Sequence, residues 1–504
     1  MKRNSETHEQ RHEQRPFHAG LGPSQSVAFA KAINGDSLFI TGSAGTGKSE
    51  LLKRIIGYWA FNRRNFAVTA TTGLAAVALK GRTLHSFFWL RPQDDDDDIT
   101  AEMIYQRLLE KSTTFNWYRK TMRSLTSLIV DEISMLSVGL FTKISSLLKL
   151  VRQNSRPFGG LQLIFVGDFY QLPPVKGRFL FESTHFRECF KDRVELKECY
   201  RQSDPTFVGL LGRMRTGNST SEDLDVLQSR VGVNIECHGI LPTELFATNK
   251  DVDELNSERL SQINTCPMVF QRVVGTRSTI KDSSKLEKFL KDLNLPECVI
   301  LKAPDYIKYS TAESDQVSES LVDVSSYSKD LEAVKNGAQV MLTFNLKQER
   351  GLVNGSRGVV IEFQVPSSSV HVHKSMLDDF DEHDPKQMKA YVKGLLHPLV
   401  RFIVDGNPVE ILVPMVRYER RDKTLLNYAW VMPLKLAWAT TVHKSQGQSL
   451  DFVKASIDST VFADGQAYVA ISRARTLEGL SLKSFDPKAI KASGRVKQFY
   501  ENDF

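Results

Sequence analysis

Cysteine is scarce in this 504-residue chain, and the five present (Cys189, Cys199, Cys237, Cys266, Cys298) are scattered, with no C-x-x-C pair. An odd, unpatterned set argues against a disulfide framework and a structural zinc, so reduced and mostly buried thiols are expected. Long hydrophobic runs are missing too: no apolar stretch approaches the ~18 residues that span a bilayer. The N-terminal stretch MKRNSETHEQRHEQRPFHAG lacks an apolar core and a small-residue cleavage site. It reads as neither a secretory signal nor a transit peptide. A soluble intracellular protein with no membrane partner is the expectation. No internal repeat is found, and the one low-complexity feature is the run DDDDD at 94–98, expected to be a solvated, mobile loop.

What is present is a globular balance, 41% hydrophobic and 25% charged residues, able to bury a sizeable core. The length suggests about three domains. A formal net charge of +7 permits an acidic polymer partner without requiring one. Several short apolar runs end in polar, glycine-rich or hydroxyl-rich clusters: Leu38–Ile40, Phe66–Val68, Leu128–Val130 and Leu163–Val166. Helical segments fall between them, the pattern of a parallel sheet covered on both faces. Functional groups in such sheets gather at the carboxyl ends of the strands. A second α/β unit is expected from ELFATNKDVDELN (244–256) and from 434–482, interrupted by an insertion. Residues 266–335 of that insertion are Ser- and Asp-rich, and 338–420 carry short β-like runs, as in a small antiparallel barrel or sandwich.

GSAGTGKS (42–49) fits the phosphate-loop pattern. Backbone N–H groups along Gly42, Ala44, Gly45, Thr46 and Gly47 would wrap phosphates at a helix N-terminus. Lys48 would bring charge to the phosphates and Ser49 a hydroxyl to Mg²⁺, so ATP and Mg²⁺ are the expected cofactors. In LIVDEISM (128–135) a buried strand ends in two acids, costly unless a cation or partner is present. Asp131 is placed for the Mg²⁺ shell and Glu132 for polarising the attacking water. LIFVGDFYQLPPV (163–175) offers a third strand end, where Gln171 can read a γ-phosphate and Pro173–Pro174 stiffen the outgoing chain. Asp168 is given no catalytic role; it caps or braces that turn. Arg201 and Arg473 are candidates for charge neutralisation, reaching the nucleotide from the second α/β unit only across a cleft. TTVHKSQGQSL (440–450) and TTGLAA (71–76) suit a phosphodiester backbone. RTLHSFFWL (82–90) adds His85 and the aromatics Phe87, Phe88 and Trp89, at least two of which are expected in the core.

In this order TGSAGTGKS, VTATTGLAA, TLHSF, VDEISML, GDFYQLPPV, YRQ, TVHKSQGQSL and AYVAISRA resemble the motifs of superfamily 1 helicases, specifically the Pif1 family. RPFGGLQLIFVGDFYQLPP resembles that family's signature region, and the likeness runs from about Gln25 to about Phe485. It implies two RecA-like parallel-sheet domains, with a wedge insertion in the first and an SH3-like β insertion in the second. The corresponding boundaries are a flexible extension over 1–20, a first domain over 21–189 with the wedge at about 88–105, and a second over 190–335 and 426–490. The β insertion falls at 336–425 and a C-terminal tail at 491–504. The resemblance also implies that Gln25 contacts adenine, that Lys48, Asp131, Glu132, Gln171, Arg201 and Arg473 form the hydrolytic site, and that Thr72, Gly73, His85, His443 and Lys444 touch single-stranded DNA. Movement would be 5′ to 3′, by a monomer acting on single strands and single-to-double-strand junctions in genome maintenance. Its compartment would be the nucleus or mitochondrion in a eukaryote. Residues 266–335 match that pattern poorly, and the acid run near the expected wedge has no counterpart in it. Forks, G-quadruplexes and RNA–DNA hybrids stay open as substrates. A protein-displacing translocase and a non-catalytic nucleic-acid-binding module stand as alternatives.

Overall fold

The computed structural model describes residues 17–110, 112–202, 204–235, 239–265, 268–271, 273–274, 299–301, 331–343, 346, 352, 355–364, 397–404, 407–422 and 425–504. Most of the N-terminal extension, most of 266–335, and Cys237, Cys266 and Cys298 lie outside the described residues. Among the described residues no helix is long and apolar enough to cross a membrane.

The apolar runs of the first half become strands β1 (Leu38–Gly42), β2 (Phe66–Ala70), β3 (Arg82–Thr83), β4 (Ser127–Asp131), β5 (Gln162–Val166) and β6 (Asp192–Leu196). They form one sheet in the order β3-β2-β4-β5-β1-β6, every pairing parallel. β1, β4 and β5 are buried at every position, as a sheet covered on both faces requires. Helices α1 (Pro23–Asn34) and α2 (Lys48–Phe61) pack Ala28, Ala32, Leu51, Ile55 and Trp59 against Leu38, Ile40, Ile129 and Ile164. After β2 and β3 come the short helices α3 (Gly73–Ala78) and α4 (Leu84–Phe88). The opposite face of the sheet, with Phe39, Leu128, Val130 and Phe165, is covered by α5 (Ala101–Leu109), α6 (Ser112–Ser124) and α7 (Val138–Arg152). Because β4, β5 and β1 are neighbours, the acid pair, the Gln171 turn and the phosphate loop open on one edge.

β6 corrects the expected end of this domain at residue 189. Its backbone pairs along the whole of β1, Leu38 with Asp192 through Gly42 with Leu196, so the first domain continues to Leu196. The sequence D-R-V-E-L is only half buried, as an edge strand is, and lacks the apolar run that marked the inner strands.

A second parallel sheet, order β19-β7-β20-β21, uses β7 (Thr243–Phe246), β19 (Ala439–Thr441), β20 (Val453–Ile457) and β21 (Leu480–Phe485). Between β7 and β19 lies the insertion, which opens with the short strands β8 (Met268–Gln271), β9 (Val273–Val274), β10 (Val299–Leu301) and β11 (Leu331–Val334). Its five-stranded antiparallel sheet is ordered β15-β14-β13-β12-β18, with β12 (Gln339–Leu342), β13 (Arg357–Gln364), β14 (His397–Val404), β15 (Asn407–Leu412) and β18 (Leu434–Leu436). A hairpin of β16 (Val416–Asp422) and β17 (Leu425–Val431) precedes β18. The insertion therefore outlasts the expected limit at residue 425, and the second domain resumes near β19. The run LLNYAWVMPLKL is mostly apolar, broken only by Asn427, Pro433 and Lys435, and such a run cannot be told by periodicity alone from a parallel core strand.

Two further expectations change. The segment 491–504 is not a tail: the helix Gly494–Asp503 lays Val496 and Phe499 into the first domain's core. Tyr500 Oη lies 2.6 Å from Thr41 Oγ1, and Arg193 donates to Asp503 at 2.7 Å. Nor is the acid run simply a solvated loop. Asp94 is buried and accepts two bonds from Arg107 at 2.6 Å each, and Asp95 accepts from Ser137 Oγ. Lys143 Nζ donates to the carbonyls of Asp94 and Asp96, which fixes the segment on α7. Asp97 and Asp98 are exposed.

Burial opposes ionisation of Asp94, but the Arg107 hydrogen bonds and the Arg91 N–H outweigh it and hold the carboxyl below its usual value of 3.8. Asp94→Ala leaves Arg107 unpaired and is expected to destabilise the protein by about 3 kcal/mol in denaturant unfolding. That contribution is present in full above the unfolded value of 3.8 and disappears as pH falls through the lower folded value. An unchanged midpoint at neutral pH would contradict it.

Candidate functional site

The phosphate loop joins β1 to α2. Gly45 and Gly47 have φ of 87° and 76°, a left-handed backbone that favours glycine. Space demands it as well: a Cβ on Gly45 would lie 2.6 Å from Arg201 Cβ, and one on Gly47 would strike Gln25 Nε2. Helix α2 starts at Lys48 with no side-chain cap on its first N–H groups, so they and the positive dipole end remain for an anion. Lys48 Nζ donates to the carbonyls of Gly42 (2.7 Å) and Ser43 (2.9 Å). Burial lowers its pKa, against the opposing charges of Asp168 and Glu132. Thr46 is buried and donates to Ser43 O. Ser49, in the first turn, is exposed.

Gln25 is buried behind the loop, accepting from Gly22 N–H and donating to Thr46 O and Gly47 O at 3.3 Å. Beside it lies a residue that sequence reasoning missed, Tyr200, 55% exposed. Its N–H donates to Gly45 O, and a Cβ on Gly47 would be 3.3 Å from its ring. An exposed ring next to a buried amide at the mouth of a phosphate loop suits a planar base. The available signal was an aromatic directly before Arg201.

At the end of β4, burial and then the neighbouring Glu132 charge push the Asp131 carboxyl up to about 7. Its Oδ1 accepts the Glu132 N–H. A divalent cation would remove that penalty. One carboxylate and one hydroxyl, from Asp131 and Ser49, are the sparse donor set magnesium takes alongside phosphates and water. Among the described residues no three His, Cys, Asp or Glu side chains gather as a metal cage. Glu132 is 6% exposed and sits at φ 55°, ψ 45°, a conformation unfavourable for a non-glycine residue. Its side chain meets the second domain: Gln446 Nε2 donates to Glu132 Oε2 at 2.9 Å.

The third strand end resolves Asp168. Fully buried, it accepts from Arg215 Nε and Nη2 at 2.9 and 2.8 Å and from Tyr170 N–H. Arg215 belongs to the second-domain helix Pro205–Thr216. Asp168 thus braces the turn and ties the domains together. Gln171 follows, 4% exposed, with its Oε1 buried and unpartnered among the described residues. Leu172 enters the apolar cluster of the second domain beside Phe207 and Leu450.

From that domain, Tyr468 Oη accepts the Ala44 N–H of the phosphate loop at 2.9 Å. Arg201 lies beside Gly45, in the connection after β6 rather than in the second domain as expected, and donates to Ser472 O. Arg473 is brought to the cleft, but its donors face its own domain: the carbonyls of Val469, Ser445 and Gln448 and Ser472 Oγ. Burial, then Arg201, lowers its pKa to about 9.

The residues expected to touch DNA lie on or beside short helices of both domains. Thr72 Oγ1 accepts the Ala75 N–H, capping α3, which opens at Gly73. His85 and His443 are half-buried, and burial lowers both below 6.5, leaving neutral rings near pH 7. Lys444 is exposed in the helix Val442–Ser445. Of the aromatics, Phe88 is core, with Phe87 and Trp89 packed partly buried against it.

A phosphate loop on one parallel sheet, roofed by a second parallel sheet, defines a nucleotide-binding protein of paired RecA-like domains. The family model for PIF1-like helicase matches residues 21–222, and that for the DNA helicase Pif1 2B domain matches 322–363. The crystal structure of Pif1 helicase from Candida albicans is similar at a TM-score of 0.66 and 33% identity, over 96% of this chain and 99% of that one. The chain belongs to the Pif1-like helicase family. It is 35% identical to the ATP-dependent DNA helicase PIF1 of Danio rerio across 96% of this chain, and spans 64% of that protein's length. Pif1 from Bacteroides in complex with ADP-AlF3 and ssDNA has the same fold, with a TM-score of 0.54 and 24% identity over 94% of this chain and 96% of that one.

Proposed function

We propose that this chain is an ATP-dependent DNA helicase that moves 5′ to 3′ along single-stranded DNA and opens the duplex ahead. The observation that carries this reading is the bond from Ala44 N–H to Tyr468 Oη. A ligand phosphate that takes that N–H must release Tyr468, so nucleotide occupancy and the position of the second domain are coupled. Lys48 and the loop N–H groups bind the phosphates. Ser49 and Asp131 would hold magnesium, which would supply positive charge against the phosphate oxygens. Glu132 orients the attacking water, Gln171 reads the terminal phosphate, and Arg201 and Arg473 add positive charge from the cleft wall.

On the other side of the same contacts, Thr72, Gly73 and His85 of the first domain and His443 and Lys444 of the second hold the strand in alternation. Neutral histidines and short polar donors grip backbone and base faces without reading sequence. Each base pair opened takes roughly 1.4 kcal/mol of stacking, a small load per hydrolysis. Pif1 helicase from Bacteroides is seen in complex with ADP-AlF3 and ssDNA, and the same pairing of nucleotide and strand is proposed here. Monomeric action, a nuclear or mitochondrial setting, and G-quadruplexes or RNA–DNA hybrids as additional substrates belong to the same proposal.

Forked duplexes with a single 5′ or 3′ tail test it. Unwinding is expected with the 5′ tail and ATP. Opening of the 3′-tailed fork alone would reverse the polarity. Turnover with neither fork opened would make the protein a translocase that displaces bound proteins.

A further inference from the structure

Gln446 is the most unusual side chain in the cleft. It is 1% exposed, and its Nε2 donates to Glu132 Oε2 (2.9 Å) and to Ser134 Oγ (3.2 Å), both in the first domain. Among the described residues its Oε1 is buried with no partner, as are both polar atoms of Gln448 and the Oε1 of Gln171. Unsatisfied buried acceptors are rare, and at a cleft they mark places that water or ligand completes. Gly447, at φ 79°, brings the backbone in as well: a Cβ there would stand 3.1 Å from Glu132 Oε1. Both oxygens of the Glu132 carboxylate therefore face the segment 446–447 of the other domain. Glu132 itself stands on a left-handed backbone, so its aim depends on what surrounds it.

The same segment is rigidly joined to the strand-gripping turn. Thr441 Oγ1 caps the helix Val442–Ser445 through Lys444 N–H, and Gln446 N–H donates to His443 O at 3.3 Å. Arg473 clamps the segment from the other side, bonding Ser445 O and Gln448 O on either flank of Gln446. A shift of His443 and Lys444 is thus carried into Gln446 within one turn of backbone, with no flexible link between them.

We propose that Gln446 is a positioning residue that aims Glu132 at the attacking water when a single strand is held at His443 and Lys444, its free Oε1 accepting from that water. The proposal rests on the helicase reading and names the element that makes hydrolysis answer to DNA. Arg473 in this account holds the segment in place, which explains why its guanidinium faces backbone carbonyls.

The test compares Gln446→Met and Gln446→Glu with the wild-type chain in ATP turnover, with and without an oligothymidine strand. Folding is checked by thermal melting and strand affinity by fluorescence anisotropy. Methionine keeps the volume without the amide; glutamate keeps the length but sets a second carboxylate against Glu132. The ratio of stimulated to unstimulated kcat is expected to fall roughly tenfold or more in Gln446→Met, and further in Gln446→Glu. KM for ATP and strand affinity should be unchanged, a split that a packing role alone would not produce. A wild-type ratio in both variants, or a rate loss matched by lost strand affinity, overturns the proposal while the helicase reading stands. A wild-type chain whose turnover ignores the strand overturns both.

Discussion

Lys48→Ala is expected to lower kcat for DNA-stimulated ATP hydrolysis by on the order of 10²- to 10³-fold, the usual loss when one charge-stabilising donor is removed from a phosphoryl-transfer site. The lysine stands at the first position of α2, with its ammonium held over the phosphate loop by Gly42 O and Ser43 O. Those carbonyl bonds keep a cation at the loop before nucleotide arrives, so little reorganisation is needed when phosphate replaces them. Fold stability should change little, since Lys48 forms no ion pair among the described residues and its side chain is only partly buried. The variant should retain strand binding, because the bonds of Lys48 go to Gly42 O and Ser43 O of its own loop and not to the residues proposed to hold the strand. Steady-state kinetics checks this, and turnover within a few-fold of wild type would show that the site is misassigned.

Arg215→Met should have the largest effect on stability, about 3–5 kcal/mol, because it strands a fully buried carboxylate. Arg215 forms a two-point bond with Asp168 and lies over the rings of Tyr170 (4.6 Å) and Tyr500 (5.4 Å), which themselves stack 4.8 Å apart. One residue thus joins the Gln171 turn, the second domain and the C-terminal helix. Pairing Arg215→Met with Asp168→Asn should recover part of the loss, since the unpaired charge is gone. Denaturant unfolding of the single and double variants measures it. Equal stability of Arg215→Met and wild type would contradict a bracing role.

The parts of the site visible in the sequence were those whose chemistry is local. Lys48 and Ser49 are fixed by spacing within eight residues, and Asp131, Glu132 and Gln171 by their place just after apolar runs. The residues that join the domains were not visible, because their partners are remote in the chain: Arg215 and Asp168 are 47 residues apart, Gln446 and Glu132 are 314, and Tyr468 and Ala44 are 424. Nothing in the spacing or hydropathy of VHKSQGQ tells Gln446 which carboxylate it will meet. The acid run was misread for a related reason. A block of like charge reads as solvated until Arg107, 13 residues on, is seen to neutralise Asp94. At the level of the fold, the inner strands announced themselves by continuous apolar runs, whereas β6 hid behind alternating charge and the C-terminal helix behind its brevity.

Hydrolysis between the two domains is proposed to answer to a single strand held outside the nucleotide site. The decisive measurement is ATP turnover by the full chain, titrated with single-stranded DNA at saturating ATP and Mg²⁺. A saturable rise in kcat that disappears in Lys48→Ala is expected. A rate that is the same with and without DNA would overturn the proposal.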